Sequence, residues 1–232
     1  MTYCASDLHG YYDLFLRLLD EIRFTDQDRM FILGDVVDKG PDSVKLLQLV
    51  LSMLNVTMIM GNHEYDFLNF YRSLLKQNMD EGQILSKLQE RFRDGALLDW
   101  ETVRRLEKLD YFVKEPQWIG VHAGVPVVNG KLADPETVSE DWLVNDRNLK
   151  DPSVIPRGSR CVLYGHTPVR YITDEDRILF CPRYKELAGS PHITDYCKIH
   201  LDLGTYIFGV MGCVRVEDCR TFYVQQDLSL GV

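Results

Sequence analysis

The stretch Gly34-Asp35-Val36-Val37-Asp38-Lys39-Gly40 decides how this chain is expected to fold. It directly follows the segment Arg29–Leu33, whose length and apolar composition predict a buried strand. In open α/β sheets, ligand sites gather beyond the carboxyl ends of the strands. Glycines beside polar residues let the backbone turn tightly and approach a ligand closely. The stretch therefore predicts a ligand-binding loop at the end of a strand.

The segments around this loop alternate between strand and helix patterns. Strands are predicted at Met1–Ser6, Arg29–Leu33 and Val56–Met60, and helices at Tyr11–Ile22 and Val44–Leu54. This alternation is typical of an α/β core with parallel strands. Residues Glu64–Lys114 look mostly helical, and β-rich pieces lie between Ile178 and Val224. We therefore expect a second sheet packed on the first.

Four further motifs of similar composition follow predicted strands. They are Ser6-Asp7-Leu8-His9-Gly10, Gly61-Asn62-His63-Glu64, Val121-His122-Ala123-Gly124 and Gly165-His166-Thr167. One such motif alone is a weak signal, because short polar patterns recur by chance. Four of the six histidines of the chain, however, fall within this set, which favours a common site over coincidence.

The polar side chains of these motifs form a mixed set of metal-ligand atoms. Carboxylate, amide and imidazole groups come from Asp7, His9, Asp35, Asn62, His122 and His166. This mixture suits Mn, Fe, Zn, Co or Ni better than Ca, which prefers oxygen ligands alone. Two ions can be held if one carboxylate bridges them. Asp35 is the candidate for this bridge, because it is central in the order of the motifs along the chain. Two metals clamp the attacking and leaving oxygens of an in-line displacement, so the sequence predicts a two-metal phosphoesterase, with Mn as the expected metal.

The ordered set resembles the calcineurin-like metallophosphoesterases, and within them the phosphoprotein phosphatase group. The family patterns are G-D-x-H-G, G-D-x-V-D-R-G, G-N-H-E, H-A-G and G-H-T, and they match in order and spacing from Asp7 to Thr167. The chain looks most like the small bacterial and bacteriophage members. The resemblance implies a single catalytic domain over residues 1–232. It also implies a four-layer α/β/β/α sandwich of two mixed sheets flanked by helices, with a dinuclear metal site at the strand ends.

The resemblance also assigns roles by position. The metal ligands would be Asp7 and His9 for the first ion, Asp35 as the bridge, and Asn62, His122 and His166 for the second. His63 would protonate the leaving oxygen, and Asp38 would orient His63. Lys39 and Arg147 would bind the phosphate.

Two positions depart from the family pattern. Ser6 replaces a glycine, which we expect to change only local packing. Lys39 replaces an arginine, so a compact point charge stands where the family has a bidentate fork.

The resemblance implies hydrolysis of a phosphomonoester by attack of a metal-bound hydroxide, with phosphoserine or phosphothreonine in proteins as the expected substrate. The alternative is a dinucleoside polyphosphate hydrolase, such as a symmetrical diadenosine tetraphosphatase. That activity requires an aromatic side chain that stacks on adenine and cations for a longer phosphate chain, for which Tyr184, Arg183 and Lys185 are candidates. A non-catalytic metal-binding scaffold is disfavoured, because every expected ligand and the His63–Asp38 pair are present.

The composition of the chain limits the kinds of binding partner that we expect. A formal net charge of −9 disfavours binding of nucleic acid by charge. No apolar stretch approaches the length of a membrane span, and residues Met1–Asp7 lack the pattern of a signal peptide. We therefore expect a cytoplasmic protein that acts on a phosphoprotein or a small phosphorylated molecule. The sequence leaves the oligomeric state open.

Overall fold

The computed structural model describes residues 1–92, 95–184 and 189–226. Its strands are β1 (Thr2–Ala5), β2 (Arg29–Ile32), β3 (Val56–Met58), β4 (Phe112–Lys114), β5 (Trp118–Val121), β6 (Val127–Val128), β7 (Lys131–Leu132), β8 (Cys161–Tyr164), β9 (Leu179–Pro182), β10 (Tyr196–His200), β11 (Val210–Arg215) and β12 (Thr221–Gln225). Its α-helices are α1 (Tyr12–Glu21), α2 (Ser43–Ser52), α3 (Asn62–Leu74), α4 (Glu81–Gln89), α5 (Trp100–Leu106), α6 (Glu140–Asn145), α7 (Arg170–Thr173) and α8 (Thr205–Phe208).

Two five-stranded mixed sheets form the centre of the fold. The first has the strand order β12-β11-β1-β2-β3, and the second has the order β4-β5-β8-β10-β9. In the first sheet β1, β2 and β3 are parallel, while β11 and β12 add antiparallel neighbours. In the second sheet β5, β8 and β10 are parallel, between antiparallel edge strands β4 and β9. The expected α/β architecture of two mixed sheets flanked by helices is confirmed. The β-rich C-terminal part, however, is divided, because β9 and β10 join the second sheet whereas β11 and β12 extend the first.

The alternation of side chains along each strand creates the layers. On β2, Phe31 points to the core between the sheets, whereas Met30 and Ile32 point to the helices that cover the first sheet. On β8, Leu163 enters the same inter-sheet core, and Val162 packs on the opposite face of its sheet. Since both faces of these strands are buried, their sequences read as continuous apolar runs.

The helices cover the outer faces unequally. The outer face of the first sheet packs against buried residues of α1 to α5, such as Leu18 of α1 and Phe67 of α3. In α1, Leu14 and Leu18 lie one helical turn apart and are both buried, which explains why this amphipathic segment folds as a helix there. The outer face of the second sheet is covered by α6 and by loops that carry Val125 and Leu149.

The six parallel strands set the position of the candidate site. β1, β2, β3, β5, β8 and β10 are each followed by a polar loop at the carboxyl end. These loops meet at one edge of the two sheets, as the rule for open α/β sheets requires. Among the described residues, no helix is long and apolar enough to cross a membrane.

Candidate dinuclear metal centre

Asp35 lies at the centre of the polar loops. Its side chain belongs to two groups of potential ligands, and within each group the ligand atoms lie within 4.8 Å of one another. One group contains His9, Asp35 and His63, and the other contains Asp35, His122 and His166. Asp35 Oδ2 lies 3.8 Å from His9 Nε2 and 3.5 Å from His122 Nε2. A carboxylate shared by two imidazole groups is the arrangement that a bridging ligand requires.

The backbone at this centre is held in an unusual conformation. Six of the ten described non-glycine residues with positive φ belong to the site, namely Asp7, His9, Asp35, Asp38, Lys39 and His166. Such residues cost free energy and persist only where surrounding contacts enforce them. Gly165 shows how tight the packing is, because a Cβ atom there would collide with Ser6 Oγ and Asp7 Oδ2. The chain thus accepts local strain to aim these side chains inward.

Asn62, His122 and His166 bring an amide oxygen and two imidazole nitrogens together beside Asp35. His122 Nδ1 lies 2.8 Å from the carbonyl of Leu33, which can only accept, so Nδ1 carries the proton. Burial and neighbouring histidines hold the pKa of His122 well below its ordinary value, so the ring is neutral. Its Nε2 lone pair therefore faces Asn62 Oδ1 at 3.0 Å, and His166 Nδ1 lies 2.9 Å from the same oxygen. The His122 lone pair and the Asn62 oxygen that face each other are stabilised by a cation, so these residues fit a divalent metal.

The ring of His9 is oriented in the same way as that of His122, by a backbone carbonyl next to its Nδ1. His9 Nδ1 lies 3.2 Å from the carbonyl of Val37, which fixes the proton on Nδ1 and leaves the Nε2 lone pair directed to the centre. Burial and the nearby His63 lower the pKa of His9 to about 3. Metal-bound histidines commonly donate their other ring N–H to a carbonyl in this manner.

Three buried carboxylates surround the histidines. Burial and neighbouring acids raise the pKa of Asp7 and of Asp35 above the ordinary value, and the pKa of Asp202 rises to about 7. Asp7 also accepts hydrogen bonds from the backbone N–H of His166 at 3.1 and 3.2 Å and from the hydroxyl of Ser6. Ser6 thus orients Asp7 directly, whereas the sequence suggested only local packing. Like charges buried this close destabilise one another, and a nearby cation relieves this repulsion.

Glu64 is fully buried and shapes the central loop. Its carboxylate accepts hydrogen bonds from the backbone N–H groups of Asp35, Val36, Val37 and Gly61, at 2.9, 2.8, 3.1 and 3.0 Å. The loop after β2 and the start of α3 are therefore held by one side chain. Sequence reasoning quoted Glu64 within its motif and gave it no role. Its position three residues after Gly61, where helix-capping carboxylates commonly occur, was the available signal.

His63 lies beside Asp35 with its other nitrogen bound to a second carboxylate. His63 Nδ1 is 2.7 Å from Asp38 Oδ2, and its Nε2 is 3.9 Å from Asp35 Oδ2. Burial alone would lower the pKa of His63, but the hydrogen bond to Asp38 and the charge of Asp35 raise it above the ordinary value. Arg91 Nε donates to Asp38 Oδ1 at 3.1 Å, and the hydrogen bonds of His63 and Arg91 overcome burial and lower the pKa of Asp38 to about 2. Arg91 comes from a distant helical segment, and no motif identified it.

Arg147 lies beside the Gly-His-Thr loop. Its Nη1 donates to Thr167 Oγ1 at 2.9 Å, so the guanidinium group lies beside the histidine ligand region and remains exposed. The turn that follows Arg147 is held by the buried Lys198, whose ammonium donates to the carbonyls of Leu149 and Asp151 at 2.7 and 2.6 Å. The sequence did not single out Lys198.

Lys39 is exposed and directly follows Asp38 in the loop that carries Asp35. Its ammonium lies 5.4 Å from the centroid of the Tyr206 ring. The structure thus brings all ten predicted site residues to one edge of the sheets.

The residues suggested for an adenine site lie elsewhere. Pro182 pairs with Tyr196 at the start of β10, so Arg183 and Tyr184 lie at the edge opposite to the metal centre. The guanidinium group of Arg183 also donates hydrogen bonds to the carbonyls of Thr194 and Arg160. The interpretation of these two side chains as substrate contacts was wrong, because nearness in sequence to the Gly-His-Thr strand did not translate into nearness in space. Lys185 lies outside the described residues.

Two facing mixed sheets with a His, Asp and Asn cluster at their carboxyl edge define the class of metal-dependent phosphoesterases. A sequence model of the calcineurin-like phosphoesterase family matches residues 2–209. The chain belongs to the calcineurin-like phosphoesterase family.

Individual relatives are similar over part of their length. The chain is 36% identical over 126 residues to a symmetrical bis(5'-nucleosyl)-tetraphosphatase of Nitrosomonas europaea, covering 53% of this chain and 44% of the relative. A protein of the same name from Wigglesworthia glossinidia brevipalpis is 33% identical over 150 residues, covering 60% of this chain and 53% of the relative. The chain thus spans about half the length of these curated relatives. A crystal structure described as a candidate diadenosine tetraphosphatase matches the fold with a TM-score of 0.70 at 18% identity, over 97% of this chain and 93% of that chain.

Glu64→Gln tests whether one carboxylate holds the central loop. An amide keeps the size of the side chain, but its NH₂ group would face backbone donors and leave them unpaired. We expect the free energy of unfolding, measured by urea denaturation, to fall by about 1–3 kcal/mol. Glu101→Gln, on the exposed face of α5, is the matched control and should change it by less than about 0.5 kcal/mol. Equal stability of the two variants would show that the hydrogen bonds of Glu64 are dispensable.

Proposed function

We propose that the chain is a metal-dependent hydrolase of dinucleoside polyphosphates that cleaves a tetraphosphate chain symmetrically, and that residues 1–232 act as one catalytic domain. The observation that carries the phosphoesterase chemistry is the convergence of Asn62 Oδ1 with imidazole nitrogens of His122 and His166, beside Asp35. The substrate class is supported by the relatives named symmetrical bis(5'-nucleosyl)-tetraphosphatases.

This substrate replaces the phosphoprotein that the sequence favoured. The resemblance to the phosphoprotein phosphatase group rests on the metal-binding motifs, and these motifs serve both reactions. They therefore carry no information about what lies beyond the reacting phosphate. The similarity to proteins named for dinucleoside tetraphosphates runs over 126 and 150 aligned residues, many more positions than the motifs hold, so it weighs more.

The proposed ligand set is the one that the motifs suggested. The six ligands are Asp7, His9, Asp35, Asn62, His122 and His166, with Asp35 shared by both ions. When bound, two divalent cations supply Lewis-acid activation of water and of the phosphoryl oxygens. Mn is the metal we propose, because the donors mix nitrogen and oxygen.

Symmetrical cleavage forms one bond to phosphorus and breaks one. The oxygen of one water molecule forms a bond to one of the two inner phosphorus atoms, and the bond from that phosphorus to the central bridging oxygen breaks. The bridging oxygen leaves with the second nucleoside diphosphate. Two nucleoside diphosphates are the only products.

The side chains around the centre have distinct proposed tasks. Lys39 and Arg147 bind phosphoryl oxygens of the substrate. His63 holds a proton at Nε2 for the leaving oxygen, and Asp38 keeps Nδ1 protonated and the ring oriented. Arg91 keeps Asp38 ionised through two hydrogen bonds, so the proton on His63 is not lost to that carboxylate.

A substrate panel tests the proposed specificity. The Mn-saturated protein should be assayed with diadenosine tetraphosphate, mononucleotides and phosphoserine or phosphothreonine peptides. We expect kcat/KM for the tetraphosphate to exceed that for the peptides by roughly 10²-fold or more, since only the tetraphosphate engages contacts away from the reacting phosphate. ADP should be the sole product. Equal or higher kcat/KM for the peptides, or products AMP and ATP, would contradict the proposal.

His63→Asn tests the proton donor through the leaving group. The loss in kcat should be roughly 10²–10⁴-fold for an alkyl phosphate, because an alkoxide is a poor leaving group without a proton. The loss should be much smaller for a nitrophenyl phosphate, whose phenolate leaves without a proton, and intermediate for diadenosine tetraphosphate, whose diphosphate leaving oxygen is less basic than an alkoxide. Metal content of the variant, measured by elemental analysis, serves as the control. Equal losses for all three substrates would argue that His63 acts otherwise, as a metal ligand for example.

A further inference from the structure

Aromatic side chains border the metal centre on the side of β8 and β10. The helix α8 follows β10 and carries Tyr206, whose ring centroid lies 5.1 Å from that of His9 in an edge-to-face arrangement. Lys39 approaches the same Tyr206 ring. Tyr206 is 40% exposed, so its ring forms part of the wall between the catalytic centre and solvent.

A second aromatic residue extends this wall outward. The helix α7 follows the Gly-His-Thr loop and carries Tyr171, which is 65% exposed. The Tyr171 ring lies 5.9 Å from the ring of Phe208, and the guanidinium group of Arg170 lies 4.7 Å from the Phe208 centroid. Burial and the nearby phenol of Tyr171 raise the pKa of Tyr206, which agrees with the two tyrosines being neighbours. We call Tyr171, Tyr206 and Phe208 the aromatic shelf.

Packing alone does not explain the shelf. Among the described residues, neither phenolic hydroxyl of Tyr171 and Tyr206 has a hydrogen-bond partner within the chain. Large aromatic rings that stay open to water beside a cluster of metal-binding side chains are typical of sites that stack on a planar group. Such rings accept any base, since every base has a π face.

We propose that the aromatic shelf binds a nucleobase of the substrate, with Tyr171 supplying the stacking face and Tyr206 bounding it on the side of the metals. This assignment rests on the proposed dinucleoside polyphosphate activity. The Lys39 ammonium lies beside the Tyr206 ring, so a phosphate chain that runs from the metal centre past this ammonium brings the attached nucleoside to the shelf. A slender lysine leaves room for this path beside Tyr206.

The assignment is tested by comparing two ligands that differ only by the nucleoside. ADP and inorganic pyrophosphate both present two phosphates, but pyrophosphate carries no base. Their Kd values for the Mn-saturated protein are measured by titration calorimetry, for the wild type, Tyr171→Leu and Tyr206→Leu. We expect Kd for ADP to rise about 5- to 100-fold in each variant, as for loss of one base–aromatic stack. In Tyr171→Leu, Kd for pyrophosphate should change less than about twofold, because the phosphates bind at the metals and Lys39.

The chain offers a matched control in Tyr184. It is 64% exposed, close to the exposure of Tyr171, and lies at the opposite edge of the sheets. Tyr184→Leu should leave both Kd values unchanged, and Tyr171→Phe should retain tight ADP binding. An equal weakening of ADP and pyrophosphate in Tyr171→Leu, or an effect of Tyr184→Leu as large as that of Tyr171→Leu, would overturn the assignment.

The test of the aromatic shelf is independent of the test of the proposed activity, because the titration measures binding and needs no turnover. Cleavage of diadenosine tetraphosphate together with unchanged ADP binding in Tyr171→Leu would refute the shelf and keep the proposed activity. Selective loss of ADP binding in a protein that fails to cleave the tetraphosphate would support the shelf and refute the proposed activity.

Discussion

The carboxylate of Glu64, buried between β2 and α3, accepts four backbone hydrogen bonds, and the rest of the site depends on them. Three of the donors belong to the loop that carries Asp35, and the fourth belongs to the glycine before Asn62. A charged acceptor that satisfies several N–H groups in a dry environment is much stronger than a neutral one. One side chain thereby fixes the relative position of Asp35, the proposed bridging ligand, and Asn62, a proposed ligand of the second ion.

The site also needs positive charge that the side chains at its centre do not supply. The neutral His122 directs a lone pair to the amide oxygen of Asn62, and three carboxylates are buried near one another. Without a cation, such a group of acceptors and acids raises the free energy of the folded state. Part of the unfavourable energy is also local, since Asp7, Asp35 and His166 have left-handed backbone conformations. The buried acids and the left-handed backbone conformations are both explained if the free energy of metal binding offsets their unfavourable free energy in the folded state.

The sequence predicted the architecture and the cluster, because both follow from local patterns. Apolar runs followed by glycine and polar residues mark strand ends, and parallel strands bring those ends together. The predicted ligands from Asp7 to His166 accordingly lie at one edge. Arg91 could not be found in this way, because its contact with Asp38 spans 53 residues and depends on how α4 packs. Tyr206 was missed for a similar reason, since the spacing between Lys39 and Tyr206 carries no signal until the fold is known. Tyr184 was chosen by proximity in sequence, and the topology carries it to the wrong edge.

The central claim is that this edge holds two divalent ions with Asp35 shared between them. Elemental analysis of Mn-loaded protein after desalting tests it most directly, with Asp35→Asn compared to the wild type and to Asp20→Asn on the exposed face of α1. The account predicts about two ions per chain for the wild type and for Asp20→Asn, and fewer than one for Asp35→Asn, since loss of a bridge weakens both sites at once. A wild type that retains one ion or none, or an Asp35→Asn variant that still retains two, would contradict it.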